Sequence, residues 1–196
     1  MRLGWTRFWV SASVMLCIAA ASSQSAGVRL GHRQAGPALR KNELTLGGVR
    51  PGRDSVGRMI KVNGAPILRE PGEPAQWADL CRGLVLYAEI GTDNKVQTLR
   101  LVHDVAAADC EVARNSGWQT GRGLRLNDEC GRVAALYGNP DSRSPSTKDG
   151  QPLELLYYAF DWAGPDVPQV MQVVCTTEKD GQAGRVVQIT LAASSL

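Results

Sequence analysis

Gly48-Val49-Arg50-Pro51-Gly52-Arg53-Asp54-Ser55-Val56-Gly57-Arg58-Met59-Ile60-Lys61-Val62-Asn63-Gly64-Ala65-Pro66 has a second version further along the chain. That version is Gly123-Leu124-Arg125-Leu126-Asn127-Asp128-Glu129-Cys130-Gly131-Arg132-Val133-Ala134-Ala135-Leu136-Tyr137-Gly138-Asn139-Pro140. A one-residue gap near Pro51 aligns Asp54 with Asp128, Gly57-Arg58 with Gly131-Arg132, Gly64 with Gly138, and Pro66 with Pro140. A polar start, an apolar spacing and a Gly-x-Pro stop recur together, so the chain reads as a tandem repeat, a feature that sets the whole architecture.

Each copy predicts a short helix. Asp54 and Asp128 are placed to cap the free N–H groups of the first turn. Apolar residues come next at helical spacing: Val56, Met59 and Ile60, then Cys130, Val133, Ala134 and Tyr137. Gly64 and Gly138 suit the left-handed C′ position, and the proline two residues on prevents continuation. Helices this short are unstable alone and must lie on an apolar surface.

Outward from the helices the pattern turns to strands. Residues 83–90 and 95–101 flank a turn at Gly91-Thr92-Asp93-Asn94, and the second run alternates apolar with polar. After the second helix come 153–161, 170–177 and 185–191, with Val186, Val187, Ile189 and Leu191 facing a core and Gln188 and Thr190 facing out. The expected fold class is α+β, with two tandem repeats over residues 42–109 and 110–196. Each is a short helix packed on an antiparallel β-meander. The stretch 102–120 leaves room for one more helical turn.

The N-terminus reads as a secretion signal over residues 1–26. Arg2 and Arg7 precede an apolar run of about 14 residues and then small residues, whereas crossing a bilayer takes roughly 20. No later stretch is long and apolar enough to span a membrane. Removing 1–26 takes the net charge from +3 to +1. Residues 27–41 hold Arg29, Arg33, Arg40 and Lys41 without an acid and read as a flexible tether, which leaves the body near −3. Such a body has no large basic surface, so nucleic acid is excluded as a main partner. The expected location is periplasmic or extracellular.

Cys81, Cys110, Cys130 and Cys175 remain after the signal, an even number in an oxidising compartment. Three pairings are open. Cys130 falls in the first turn of the second helix, on its apolar side, and Cys175 in a strand expected beneath it. Our expectation is therefore Cys130–Cys175, with Cys81–Cys110 closing a loop of roughly 30 residues. No C-x-x-C or histidine cluster suggests a metal.

Catalytic groups are sparse. His32 lies in the tether. His103 and Asp104 are adjacent on an extended run, where neighbouring side chains diverge. The serines at 142–147 show no nucleophile elbow, and Asp161 and Asp166 lack calcium-loop spacing. No cofactor motif is present. The chain is expected to be no enzyme, with an extracellular hydrolase working through His103 as the less favoured alternative. Trp77, Trp118 and Trp162 fall in or near expected loops and Tyr157 and Tyr158 on a strand. Tryptophan and tyrosine anchor many protein interfaces, which marks Trp162, Tyr157 and Tyr158 as candidate protein-binding residues.

Pro51-Gly52-x-Asp54, the apolar Met59 and Gly64-x-Pro66 resemble the opening of the BamE/SmpA-OmlA family of envelope proteins. Asp128, Val133, Leu136-Tyr137-Gly138, Pro140 and Tyr157-Tyr158 are similar in the second copy. The tandem arrangement also resembles the β-lactamase-inhibitor protein fold, in which two helix-on-sheet units form a concave binding face. The resemblance implies a non-catalytic envelope scaffold or protein-binding function, or secreted inhibition of an enzyme. The lipidation cysteine of outer-membrane lipoproteins is absent.

Overall fold

The two similar stretches of sequence contain helices α1 (Val56–Asn63) and α2 (Cys130–Tyr137). The computed structural model describes residues 40–70, 72–104, 117–160, 164, 168, 170–177 and 183–193. The expected signal at 1–26, tether residues 27–39, Cys110, Trp162, the Asp161 and Asp166 pair and residues 105–116 of the 102–120 stretch expected to hold an extra helical turn lie outside the described residues. No helix among the described residues is long and apolar enough to cross a membrane.

The aspartates are not the helix caps, which corrects the sequence reading. Ser55 is the N-cap of α1, its Oγ accepting from the Arg58 N–H at 3.4 Å. Glu129 holds that position on α2 and makes no side-chain cap bond. Asp54 Oδ2 instead accepts from the Arg50 N–H at 2.8 Å, and Asp128 Oδ2 from the Arg125 N–H at 2.8 Å. The cause is the strand beside each aspartate. The carbonyl of Asp54 accepts from the Val96 N–H and that of Asp128 from the Val186 N–H, both at 2.9 Å. A strand thus holds each aspartate one residue before the cap, and its carboxylate closes the preceding turn.

The helices stop at the expected glycines, but with an extended ψ rather than in the expected left-handed helical conformation. Gly64 has φ 84° and ψ −173°, and Gly138 has φ 85° and ψ −167°. That is a backbone region essentially confined to glycine. Their N–H groups donate to Ile60 O at 2.8 Å and Ala134 O at 2.9 Å.

Among the described residues seven strands form in antiparallel pairs: β1 (Ala75–Asp79), β2 (Leu84–Ile90), β3 (Val96–His103), β4 (Ser142–Lys148), β5 (Gln151–Ala159), β6 (Val170–Thr176) and β7 (Val186–Ala192). They make one sheet in the order β1-β2-β3-β7-β6-β5-β4. The molecule is therefore mostly antiparallel sheet with two short helices, an α+β protein. Strands β1 and β4 are additions to the sequence expectation. β4 is the wholly polar edge Ser-Arg-Ser-Pro-Ser-Thr-Lys, without alternation, and proline with charges is how an edge strand discourages further pairing. β1 is short, and its Trp77 reads locally as a loop tryptophan but is 2% exposed.

Residues facing each other across antiparallel strands share a side of the sheet. Leu156, Val173, Ile189, Leu101, Leu86 and Trp77 form one such row from β5 to β1, and all are buried. Both helices lie on this side. Met59 of α1 and Val133 and Tyr137 of α2 join the same core. Trp77 Nε1 donates to Gly64 O at 2.8 Å, and Tyr158 Oη donates to Gly138 O at 3.0 Å, so an aromatic group from the sheet ties down the end of each helix. Tyr158, a candidate binding residue by sequence, is fully buried and belongs to the core. Placing apolar side chains of this size in the core contributes about 1.5–3 kcal/mol each.

The same bonds recur at both helices. Leu46 and Thr120 form an antiparallel bridge with each other. Ser55 bridges Lys95 as Glu129 bridges Arg185. The register breaks between Glu89 and Ile90 in β2 and between Val174 and Cys175 in β6.

Glu43, unremarkable in the sequence, is 2% exposed. Its Oε1 accepts from the N–H groups of Leu44, Thr45 and Gly121 at 2.7, 3.0 and 3.1 Å. Its Oε2 accepts from the Arg122 N–H at 3.0 Å and Tyr137 Oη at 2.8 Å. A buried carboxylate is tolerated only when so fully bonded. Arg40 pairs with Asp141 and lies over the Tyr158 ring, while the Lys41 N–H donates to Tyr137 O. The last two residues of the expected tether are thus anchored.

Candidate binding face

The other side of the sheet is reached by moving one residue along each strand. Ser142, Tyr157, Gln172, Thr190, Arg100, Tyr87 and Gln76 are successive cross-strand partners from β4 to β1. Every one is half-buried or exposed. A neighbouring row is largely aliphatic: Leu155, Val174, Gln188, Val102, Val85 and Ala78. An aliphatic strip beside aromatic and hydrogen-bonding side chains is the composition found in protein interfaces. Among the described residues, both helices lie on the opposite side.

Two recesses break this face. One, of about 230 Å³, is lined by Tyr87, Glu89, Thr98, Arg100, Gln172 and Thr190, with Gln188 beside them. The other, of about 270 Å³, is lined by His103, Lys148, Asp149, Val174, Val187 and Gln188. Val187, expected to face the core, is half-buried and lies here instead, because the register break opposite Val174 and Cys175 inserts an extra residue in β7. In the first, the guanidinium of Arg100 stands 4.7 Å from the centroid of the Tyr87 ring, a cation–π contact that fixes its position.

Of the residues singled out by sequence, Tyr157 lies on the open face opposite Gln172. Tyr158 lies on the closed one, with its phenol pushed up to about 12 by burial. Cys130 and Cys175 are bonded, with Cα atoms 5.9 Å apart, which joins α2 to β6 on the helix side. Cys81 is also disulfide-bonded. Asp54 and Asp128 face their turns, away from either recess. His103, half-buried at the end of β3 and opposite Leu84, shares the second recess with Asp149 and Lys148. Among the described residues no group of three or more His, Cys, Asp or Glu could hold a metal.

Arg100, Tyr87, Gln172 and Thr190 carry no sequence mark of a shared site. The alternation at 95–101 marks Arg100 as outward-facing, but its neighbours come from β2, β6 and β7 and are set by strand order.

No protein-family model matches the chain, so the BamE/SmpA-OmlA resemblance finds no family match, and no curated protein matches it. Among solved structures, YjgB, a DUF4309 family protein of Bacillus subtilis, is similar at a TM-score of 0.42 and 11% identity, covering 78% of this chain and 88% of that one. The cysteine-rich secretory protein SAV1118 of Staphylococcus aureus is similar at 0.39 and 7% identity, covering 72% of this chain and 44% of that one. A candidate beta-lactamase inhibitor protein of Streptococcus mutans is similar at 0.25 and 12% identity, covering 75% of this chain and 89% of that one.

Proposed function

We propose that this chain is a non-catalytic exported binding protein whose open sheet face is the contact surface for another protein. The observation that carries the reading is the row Tyr157–Gln172–Thr190–Arg100–Tyr87. It runs across five adjacent strands, accessible and rich in hydrogen-bonding groups, while both helices occupy the opposite side. The Cys130–Cys175 disulfide supports export, because such bonds persist in oxidising compartments. In the narrower form of this reading the partner is an enzyme, and occupation of the face inhibits it.

We infer also that residues 42–109 and 110–196 are two copies of one unit. Several features favour a two-fold relation. The Arg100–Thr190 pair joins like positions of the runs 95–101 and 185–191, and the bonds from Gly47 N–H to Gln119 O and from Gly121 N–H to Thr45 O, both 3.0 Å, flank the Leu46–Thr120 bridge symmetrically. The helix-end glycines are each held by an aromatic donor from the sheet. The register breaks in β2 and β6 fall at equivalent places. On this reading the face is built by joining the two halves through β3 and β7.

The test is photo-crosslinking from two positions in an envelope extract. A photoreactive residue at Gln172, on the open face, is expected to give discrete protein adducts. The same residue at Arg132, exposed on α2, is expected to give none. Adducts from Arg132 alone would move the contact surface to the helix side and overturn the proposal. Loss of catalytic activity in the captured partner would identify inhibition.

A further inference from the structure

We propose that the recess at the centre of the open face receives a carboxylate side chain, aspartate or glutamate, from the protein partner, with Arg100 as its counter-charge. This inference rests on the binding-face reading and specifies its chemistry.

Arg100 is the exposed cation of the central row. Stacking on Tyr87 uses the face of the guanidinium and leaves its in-plane donors free. Among the described residues it takes part in no ion pair and no side-chain hydrogen bond. Arg40, Arg132, Arg143 and Arg185 are paired with Asp141, Asp128, Glu154 and Glu129; Arg53, Arg58, Lys61 and Arg69 are in no described ion pair either, but none of them lines this recess. A planar donor fork, pre-positioned on an aromatic ring, matches a carboxylate and engages it bidentately.

The surroundings suit the same group. Thr190 is the cross-strand partner of Arg100, and Gln172 is the partner of Thr190. Thr98 and Gln188 complete the walls. These are neutral side chains able to donate to a second acceptor oxygen. Among the described residues Glu89 is the one carboxylate lining the recess, exposed at its β2 side. It repels an incoming anion there and leaves the Gln172 and Thr190 side as the entrance.

The experiment is a two-dimensional NMR titration of the full oxidised chain at constant ionic strength. The probe is N-acetyl-glutamic acid α-N-methylamide, and the controls are its glutamine counterpart and inorganic phosphate. The expected result is a saturable shift of the Arg100 Nε–Hε signal and of the Gln172 and Gln188 side-chain amides. The glutamate probe should saturate at a concentration at least about tenfold below the glutamine one. Arg100→Gln should abolish the response with the rest of the spectrum unchanged, and Glu89→Gln should strengthen it about two- to threefold. Equal responses to the glutamate and glutamine probes, or saturation by phosphate alone, would overturn the proposal. Crosslinking from Gln172 without a glutamate response removes the carboxylate and keeps the binding face. A glutamate response with crosslinks only from Arg132 removes the face as partner surface, and this proposal with it.

Discussion

Gly64 shows how one residue sets the end of an element. Its φ of 84° with ψ of −173° is costly for any side chain, yet an added Cβ would meet nothing within 4 Å. The cost of Gly64→Ala is therefore pure backbone strain, about 1–3 kcal/mol. Gly131 also has open space around its Cβ position but lies inside α2 with no positive φ. Gly131→Ala is expected to stabilise by up to about 1 kcal/mol, through helix propensity and a stiffer unfolded chain. Urea unfolding of the two variants should give shifts of opposite sign; shifts of the same sign would remove the strain argument. The positive φ was legible here, because Gly-x-Pro encodes a stop within three residues. The cap was not. Asp54 and Ser55 are both good caps, and strand β3 decided between them by bonding the Asp54 carbonyl.

At the scale of elements, α2 is a two-turn helix whose buried side chains are Val133 and Tyr137. Its attachment leans on the bond from Cys130 to Cys175 of β6. The separation of 45 residues corresponds to about 4 kcal/mol of loop entropy. Replacing both cysteines by alanine is expected to lower the unfolding free energy by about 2–4 kcal/mol, read from urea midpoints at unchanged m-value. A change below about 1 kcal/mol would mean that packing alone holds α2. Helix α1 is attached differently. Asn63 Oδ1 accepts from Trp118 Nε1 at 2.9 Å, and Asn63 Nδ2 donates to Gly47 O at 3.2 Å. The Cys130–Cys175 pairing could be anticipated because helix periodicity put Cys130 on the inner side. Strands β1 and β4 could not: β4 has no buried face and so no alternation, and β1 is five residues long with Asp79 on its buried side, which breaks the apolar pattern.

At the scale of the molecule, two phenols couple the whole core to alkaline pH. Tyr158 is pushed up to about 12 by burial. Tyr137 is raised further, first by burial and then by the Glu43 carboxylate it bonds. An unfolded tyrosine ionises near 10.0. Between that value and about 12 the unfolded chain releases protons that the folded chain keeps, so stability is complete below pH 10 and falls as pH rises through this window. Tyrosinate absorbance and circular dichroism should therefore change together in alkali, and Tyr158→Phe should lose its share of the pH dependence. Ionisation of both buried phenols with the circular dichroism intact would refute the coupling.

The sequence by itself determined the two helices, their glycine ends, most of the strands and one disulfide. Each of these depends on periodicity or turn chemistry within a few neighbouring residues. Tertiary structure decided which side of the sheet is covered, that Tyr158 is core while Tyr157 is surface, and that Arg100 meets Tyr87, Thr190 and Gln172. Strand order is the physical reason. The pairing of β3 with β7 joins segments far apart in the chain, and the energies that select it come from burying both halves at once.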